Sequence, residues 1–188
     1  MINVMEILSH EHRLIEQVLG SFETFANHLA EHHPGQRQTV RGYAEFFSTF
    51  ANRCHDSKEE DLLFETLQRH GISAKKGGPL MILRQEHERG GALVQELVAL
   101  GIGKEPLDSR QQERLLIIAR QYVAFQRSHI MKEDFVLLPL ALQTLPAAIL
   151  AETTAAFERF EEEIMGKDVH AQMHTLAKAL MAAYPPPR

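Results

Sequence analysis

The 188 residues contain a single cysteine, no excess of basic charge, few β-branched runs and no apolar stretch approaching a membrane-spanning helix. Each shortage excludes something. One thiol, Cys54, cannot close an internal disulfide, and a lone cysteine suits a reducing, cytoplasmic setting. With 20 Lys and Arg against 25 Asp and Glu, the net charge is −5, so the chain lacks the basic footprint that phosphate backbones require. No nucleic acid is therefore expected as a partner. A transmembrane helix needs about 20 apolar residues, and none is present, so no membrane partner is expected either. The opening MINVMEILSHEHRL has no basic region leading into an apolar stretch and a small-residue cleavage site, so no secretory signal is expected. The length suits one domain with a sizeable core.

What is abundant is helix-forming sequence and histidine, of which there are 11. The expected fold class is all-α. Helices are predicted over about 4–31, closed by His33-Pro34-Gly35; over 37–69, closed by His70-Gly71; and over 79–100, opened by Pro79. A fourth is expected from the N-cap pair Asp108-Ser109 to about 143, ended by Leu145-Pro146, with two more over 147–165 and 168–183. Four long helices with short connections predict an antiparallel bundle over 1–145, with 146–188 as a C-terminal helical extension packed on it.

Two segments of this sequence echo each other. HDSKEEDLLF at 55–64 returns as HIMKEDFVLL at 129–138, and Glu11-His12 returns as Glu86-His87. The offsets are 129 − 55 = 74 and 87 − 12 = 75, so one helical hairpin pattern is used twice. Residues three and four apart share a helix face. The inward stripes then read Met5, Leu8, His12, Ile15, Leu19, Phe22; Phe47, Ala51, His55, Glu59, Leu62, Thr66; Leu80, Leu83, His87, Gly91, Val94, Val98; and Ile118, Tyr122, Phe125, His129, Glu133, Val136, Leu140. Each apolar stripe carries one titratable interruption at mid-height.

Carboxylates among leucines are costly unless paired or bound to a cation. A metal-free His–Glu hydrogen-bond network is one reading; four interruptions related by an internal repeat favour a metal. Four imidazoles and two carboxylates exceed one tetrahedral zinc and are too nitrogen-rich for calcium or magnesium. They suit two transition-metal ions sharing bridging carboxylates. Two octahedral ions offer about twelve positions, of which His12, His55, His87, His129, Glu59 and Glu133 fill about eight, leaving roughly four for a bridge, water or substrate.

Together Glu11-His12, the 55–64 run, Gly78-Pro79 with Glu86-His87, and the run from His129 to Pro139 resemble the hemerythrin-like proteins of the HHE cation-binding family. The resemblance covers about 1–145 and extends to the two terminal helices. It implies an up-down-up-down four-helix bundle around a non-haem di-iron centre with an oxo or hydroxo bridge, although the same donors accept manganese or zinc. It also implies a small-molecule ligand: dioxygen, hydrogen peroxide or nitric oxide. Departures accompany the likeness. Oxygen carriers of the family have a second histidine one turn before the third-helix ligand, where this chain has Leu83. They also place an aspartate five residues after the fourth-helix histidine, the position of Asp134. Helical phase prefers Glu133, about 40° from His129, to Asp134 at about 140°, with Asp134 held in reserve. The resulting set is similar to that of di-iron proteins implicated in iron–sulfur cluster repair, whose extra N-terminal cysteine-bearing domain these residues do not include.

Other candidates are read as structural. His10 is expected to be exposed, and the pairs His28/His32 and His170/His174 to have packing or surface roles. His70 reads as a helix cap, Cys54 as an inert core residue and Tyr122 as aromatic core within reach of the site. Gly90-Gly91 offers close helix packing or room for a small ligand. Lys58, Lys132, Glu60 and Asp61 are expected to face solvent. Three functions follow: a redox-active di-iron protein, with or without turnover, in oxidative or nitrosative stress or iron–sulfur cluster repair; an oxygen- or iron-binding or sensing module; and a metal-free interaction bundle. The chain is expected to be a monomer or homodimer.

Overall fold

Every regular element is helical among the residues described, 3–30, 37–75, 77–166 and 168–187, in a computed structural model. Helix α1 is Val4–Ala30, α2 covers 37–69, α3 is Pro79–Gly101, α4 covers 109–144, α5 covers 147–166 and α6 is Val169–Ala183. No helix is long and apolar enough to cross a membrane among the described residues. The stop expected at His33-Pro34-Gly35, and His32, lie outside the described residues.

The ends of these helices follow from their local chemistry. Pro79 opens α3 directly after an extended Gly78. Asp108 caps α4 with a full capping box: its carboxylate accepts from the Gln111 N–H, and the Gln111 side chain accepts from the Asp108 N–H. Gly166 ends α5 at a φ of 98°, a left-handed conformation that favours glycine.

Helices α2 and α4 are not regular inside. Helix α2 is π-helical over Phe47–Asp56 and Glu59–Phe64, and α4 over Glu133–Leu137. Where α2 leaves the first stretch, the Ser57 N–H bonds to the Asn52 carbonyl five residues back, the signature of a widened turn. The buried positions then recur in steps of four, His55, Glu59, Leu63, Leu67 in α2 and His129, Glu133, Leu137, Ala141 in α4. A regular helix drifts about 40° at each step of four, and the wider turns cancel that drift. Sequence periodicity alone places Leu62, Thr66, Val136 and Leu140 inward. The structure corrects this: Leu63, Leu67, Leu137 and Ala141 take those places, and Val136 is 53% exposed.

Helices α1 to α4 enclose the core. α1 packs against α4, α2 against α3, and α3 against α4. Helices α5 and α6 lie across α1 and α2. The apolar interior falls into two clusters. One is built on Ile15, Phe22, Tyr43, Phe47, Val94 and Ile118, the other on Leu8, Leu63, Phe64, Leu83 and Leu137. Between them runs a layer of buried polar side chains, and that layer positions the site.

Candidate metal centre

All six residues singled out from the sequence meet in this layer. Glu59 and Glu133 are fully buried at its middle, with no measurable exposure. The Nε2 atoms of the four histidines turn towards them. His12 Nε2 lies 3.2 Å from Glu133 Oε2, and His129 Nε2 lies 2.8 Å from Glu133 Oε1. His87 Nε2 is 3.4 Å from both Glu133 Oε1 and Glu59 Oε2. His12 and His55 approach each other at 3.1 Å between Nε2 atoms, with rings edge to face.

The outer nitrogens are held just as regularly. Glu11 on α1 accepts from His55 Nδ1 on α2 at 2.8 Å, and Glu60 on α2 accepts from His87 Nδ1 on α3 at 2.7 Å. Glu86 on α3 accepts from His129 Nδ1 on α4 at 3.0 Å, and Asp134 on α4 accepts from His12 Nδ1 on α1 at 2.7 Å. The four carboxylates form a closed ring, each helix bracing the histidine of the next. Every bracing residue is the chain neighbour of an inner one: Glu11 of His12, Glu60 of Glu59, Glu86 of His87, Asp134 of Glu133. Such pairing makes Nδ1 an N–H and aims Nε2 inward, where a metal would displace its proton, the orientation that metal-ligating histidines adopt. Two lysines complete the pattern. Lys58 donates to Glu11, and to Glu161 of α5 at 2.5 Å, while Lys132 donates to Glu86.

The donor set fits a cation. Among the described residues, six buried side-chain atoms form no hydrogen bond, even where an imidazole and a carboxylate lie in ion-pair contact: Asp56 Oδ1, both oxygens of Glu59, Glu133 Oε2, His129 Nε2 and Tyr122 Oη. Native interiors leave few such atoms, and five of these six are potential metal donors. The 3.1 Å between the Nε2 atoms of His12 and His55 is near the spacing of two donors at about 2.1 Å from one ion on a right-angled corner. His12, His55, Glu59 and Glu133 bring donor atoms within 4.8 Å of one another, and so do Asp56, His87 and His129. A third such group, Glu11, Cys54 and Glu161, surrounds the Lys58 ammonium.

The electrostatics of the metal-free protein show what holds the layer together. Burial pulls His12 towards neutrality, but the carboxylates of Asp134 and Glu133 outweigh it and raise its pKa to about 10. His87 and His129 are likewise lowered by burial and raised more by their carboxylates. Burial pushes Glu133 up, yet the surrounding histidines hold it well below the usual carboxylate range. Glu59 goes the other way, raised by burial and then by the charge of Glu133. Burial also raises Glu11, but the hydrogen bond from His55 and the charge of Lys58 bring it down to about 2, against an ordinary 4.5.

A pH dependence follows from Glu11. Its folded pKa lies below its unfolded value, so its stabilisation is complete above about 4.5 and disappears as the pH falls towards 2. The contribution at neutral pH is on the order of 3 kcal/mol. In thermal denaturation of chelator-treated protein, Glu11→Gln is expected to flatten the fall in Tm between pH 5 and pH 3. An unchanged slope would show that Glu11 is not the titrating group.

Several sequence expectations need correction or refinement. Lys58 does not reach solvent; it is fully buried, because α5 covers it with Glu161 and Phe157, whose ring centroid lies 5.5 Å from its ammonium. Lys132, with a side chain 43% exposed, reaches water but is tied to Glu86. Glu60 is turned inward onto His87, and Arg84 holds its other oxygen at 2.8 Å, whereas Asp61 is exposed as expected. Asp134 points at the outer nitrogen of His12 rather than into the layer. His10 is exposed, and His70 caps α2 with its ring on the Thr66 carbonyl. Cys54 is buried, and burial pushes its thiol up to about 12. Beta carbons added at Gly90 and Gly91 would lie 3.2 Å from Phe125 and 3.5 Å from Asn52, so Gly90 serves close packing. Gly91 instead lines a surface cleft of about 290 Å³ with Asn52, Asp56 and His87. The rings of His170 and His174 lie 4.6 Å apart, tilted by 45°, beside Phe50.

The four braces and Asp56 escaped the sequence reading. For the braces a signal existed, since Glu-His and Lys-Glu-acidic both repeat around the inner residues. Asp56 has none, because its counterpart in the second run is Ile130.

Comparison with known proteins agrees with this chemistry. The chain is 22% identical over 162 residues to the uncharacterized protein Rv1995 of Mycobacterium tuberculosis and to the uncharacterized protein Mb2018 of Mycobacterium bovis. In both cases the match covers 86% of this chain and 62% of the relative, so the chain spans less than two thirds of their length. No solved structure matches the chain significantly. The family model of the hemerythrin HHE cation-binding domain matches residues 3–141, which hold the six inner residues, their four braces, Asp56 and nearly all of the four helices that carry them. The chain belongs to the hemerythrin HHE cation-binding family.

Proposed function

We propose that this chain is an up-down-up-down four-helix bundle holding a carboxylate-bridged di-iron centre that reacts with a small molecule: dioxygen, hydrogen peroxide or nitric oxide. His12 and His55 would hold one ion and His87 and His129 the other, with Glu59 and Glu133 as shared donors. The observation carrying this reading is the convergence of four Nε2 atoms on two fully buried carboxylates while every Nδ1 is braced from outside. When bound, the iron pair supplies redox chemistry that no side chain here can provide.

The residues do the rest. The braces fix the tautomer and ring direction of each histidine and make Nε2 a stronger donor. The two apolar clusters exclude water above and below the layer. The cleft beside Asp56, His87 and Gly91 gives a small molecule a way in from the surface. Defence against oxidative or nitrosative stress, or repair of iron–sulfur clusters, in the cytoplasm would use such a centre.

Protein expressed with iron supplied is expected to contain about two transition-metal ions per chain, and its visible absorption to change on adding oxygen or peroxide. Protein free of metal after such expression would sink the reading. Repeated consumption of peroxide or nitric oxide supports a reactive centre; binding one equivalent without turnover supports an oxygen- or iron-binding module instead.

A further inference from the structure

The six inner residues are symmetric between the two halves, but their surroundings are not. Directly after His55 stands Asp56; directly after His129 stands Ile130. Both are buried, with Asp56 8% and Ile130 2% exposed. A carboxylate in that position needs a partner, yet Asp56 Oδ1 has none among the described residues. It lies 4.0 Å from His87 Nε2 and shares a donor cluster with His87 and His129. Among the described residues, no donor cluster joins it to His12 or to its own neighbour His55.

Two consecutive residues of α2 therefore serve different neighbours. Consecutive residues on a helix face different sides of it. His55 turns towards His12 of α1, while Asp56 turns towards His87 of α3. The metal positions are not equally covered either. Helices α5 and α6 close the α1–α2 side, whereas Asp56 and His87 line the surface cleft on the α2–α3 side.

Resting on the di-iron reading above, we propose that Asp56 is a third terminal donor to the ion held by His87 and His129. The two positions are then chemically unequal. The His12/His55 position has two nitrogens and the shared carboxylates; the His87/His129 position adds an anionic oxygen and faces the cleft. A hard anionic donor strengthens binding of a hard cation, so the second position is the tighter and the more oxygen-rich. It is also the one where an incoming small molecule arrives.

Stepwise titration of the chelator-treated full chain with cobalt(II), followed by its visible ligand-field absorption, tests this. Wild type is expected to bind two ions with unequal affinities. Asp56→Ala should weaken one step by about tenfold or more, on the scale of losing a supporting group at a metal site, and leave the other unchanged. The weakened step should be the one that His129→Ala also weakens, and not the one that His12→Ala weakens. Asp56→Asn, close to isosteric, repeats the measurement should the alanine variant fold poorly. Two steps within twofold of wild type, or an equal loss at both, would overturn the proposal. A wild-type chain that binds no cobalt at all would instead overturn the metal-centre reading beneath it.

Discussion

Glu59→Leu is expected to stabilise the metal-free protein by about 2 kcal/mol while removing at least one ion from the metal-loaded protein. Glu59 has no exposure, and among the described residues neither of its oxygens forms a hydrogen bond, His87 Nε2 lying 3.4 Å away. Its pKa is raised by burial and by the neighbouring Glu133, so in the metal-free protein it is a strained group among apolar residues. Burying a polar group without a hydrogen bond costs about 1–3 kcal/mol, a cost that an apolar side chain of similar volume removes. Leu63, one turn further along α2, belongs to the adjoining apolar cluster and offers the new side chain a packing surface. Denaturant unfolding with and without chelator, together with metal analysis, reads both effects. A metal-free Glu59→Leu protein less stable than wild type would show that the carboxyl stabilises the fold without a cation.

The second large effect separates two lysines that occupy the same place in the repeat. Lys58→Met is expected to destabilise by about 3–5 kcal/mol, because it leaves the Glu11 carboxylate buried without its cation. Lys132→Met should lose less than about 1 kcal/mol, since the Lys132 side chain is 43% exposed and Glu86 keeps its hydrogen bond from His129. Lys58 also joins α5 to the core through Glu161, so its loss should loosen the terminal helices as well. Urea midpoints of the two variants provide the comparison. Equal losses would show that burial by α5 and α6 carries no energetic weight.

How far the sequence could be read depends on the kind of interaction. The six helices and the inward set of four histidines and two glutamates were legible because burial imposes a period on each helix separately. His12 and His55 need no knowledge of each other to be recognised as interruptions of an apolar stripe. Leu63 and Leu137 were misplaced because the widened turns in α2 and α4 shift the register after Glu59 and Glu133. No residue type announces such a turn. The braces were missed because each serves a histidine on another helix, so its own helix phase places it off the stripe. Lys58 was assigned to solvent because nothing within α2 reveals that α5 will lie over it. Asp56 was hidden by symmetry: attention to what repeats passes over what does not.

The ring of braces also bears on when the site can exist during synthesis. Its links join residues 44, 27, 43 and 122 positions apart in the chain. The last of them, Asp134 to His12, ties the end of the fourth helix back to the first. A growing chain that has not yet emerged past residue 134 can form the first hairpin, but His12 then lacks its brace and half of the inner donors have no partners. The full donor set is therefore completed only when the whole bundle closes, and a half-made chain offers a metal no comparable resting place.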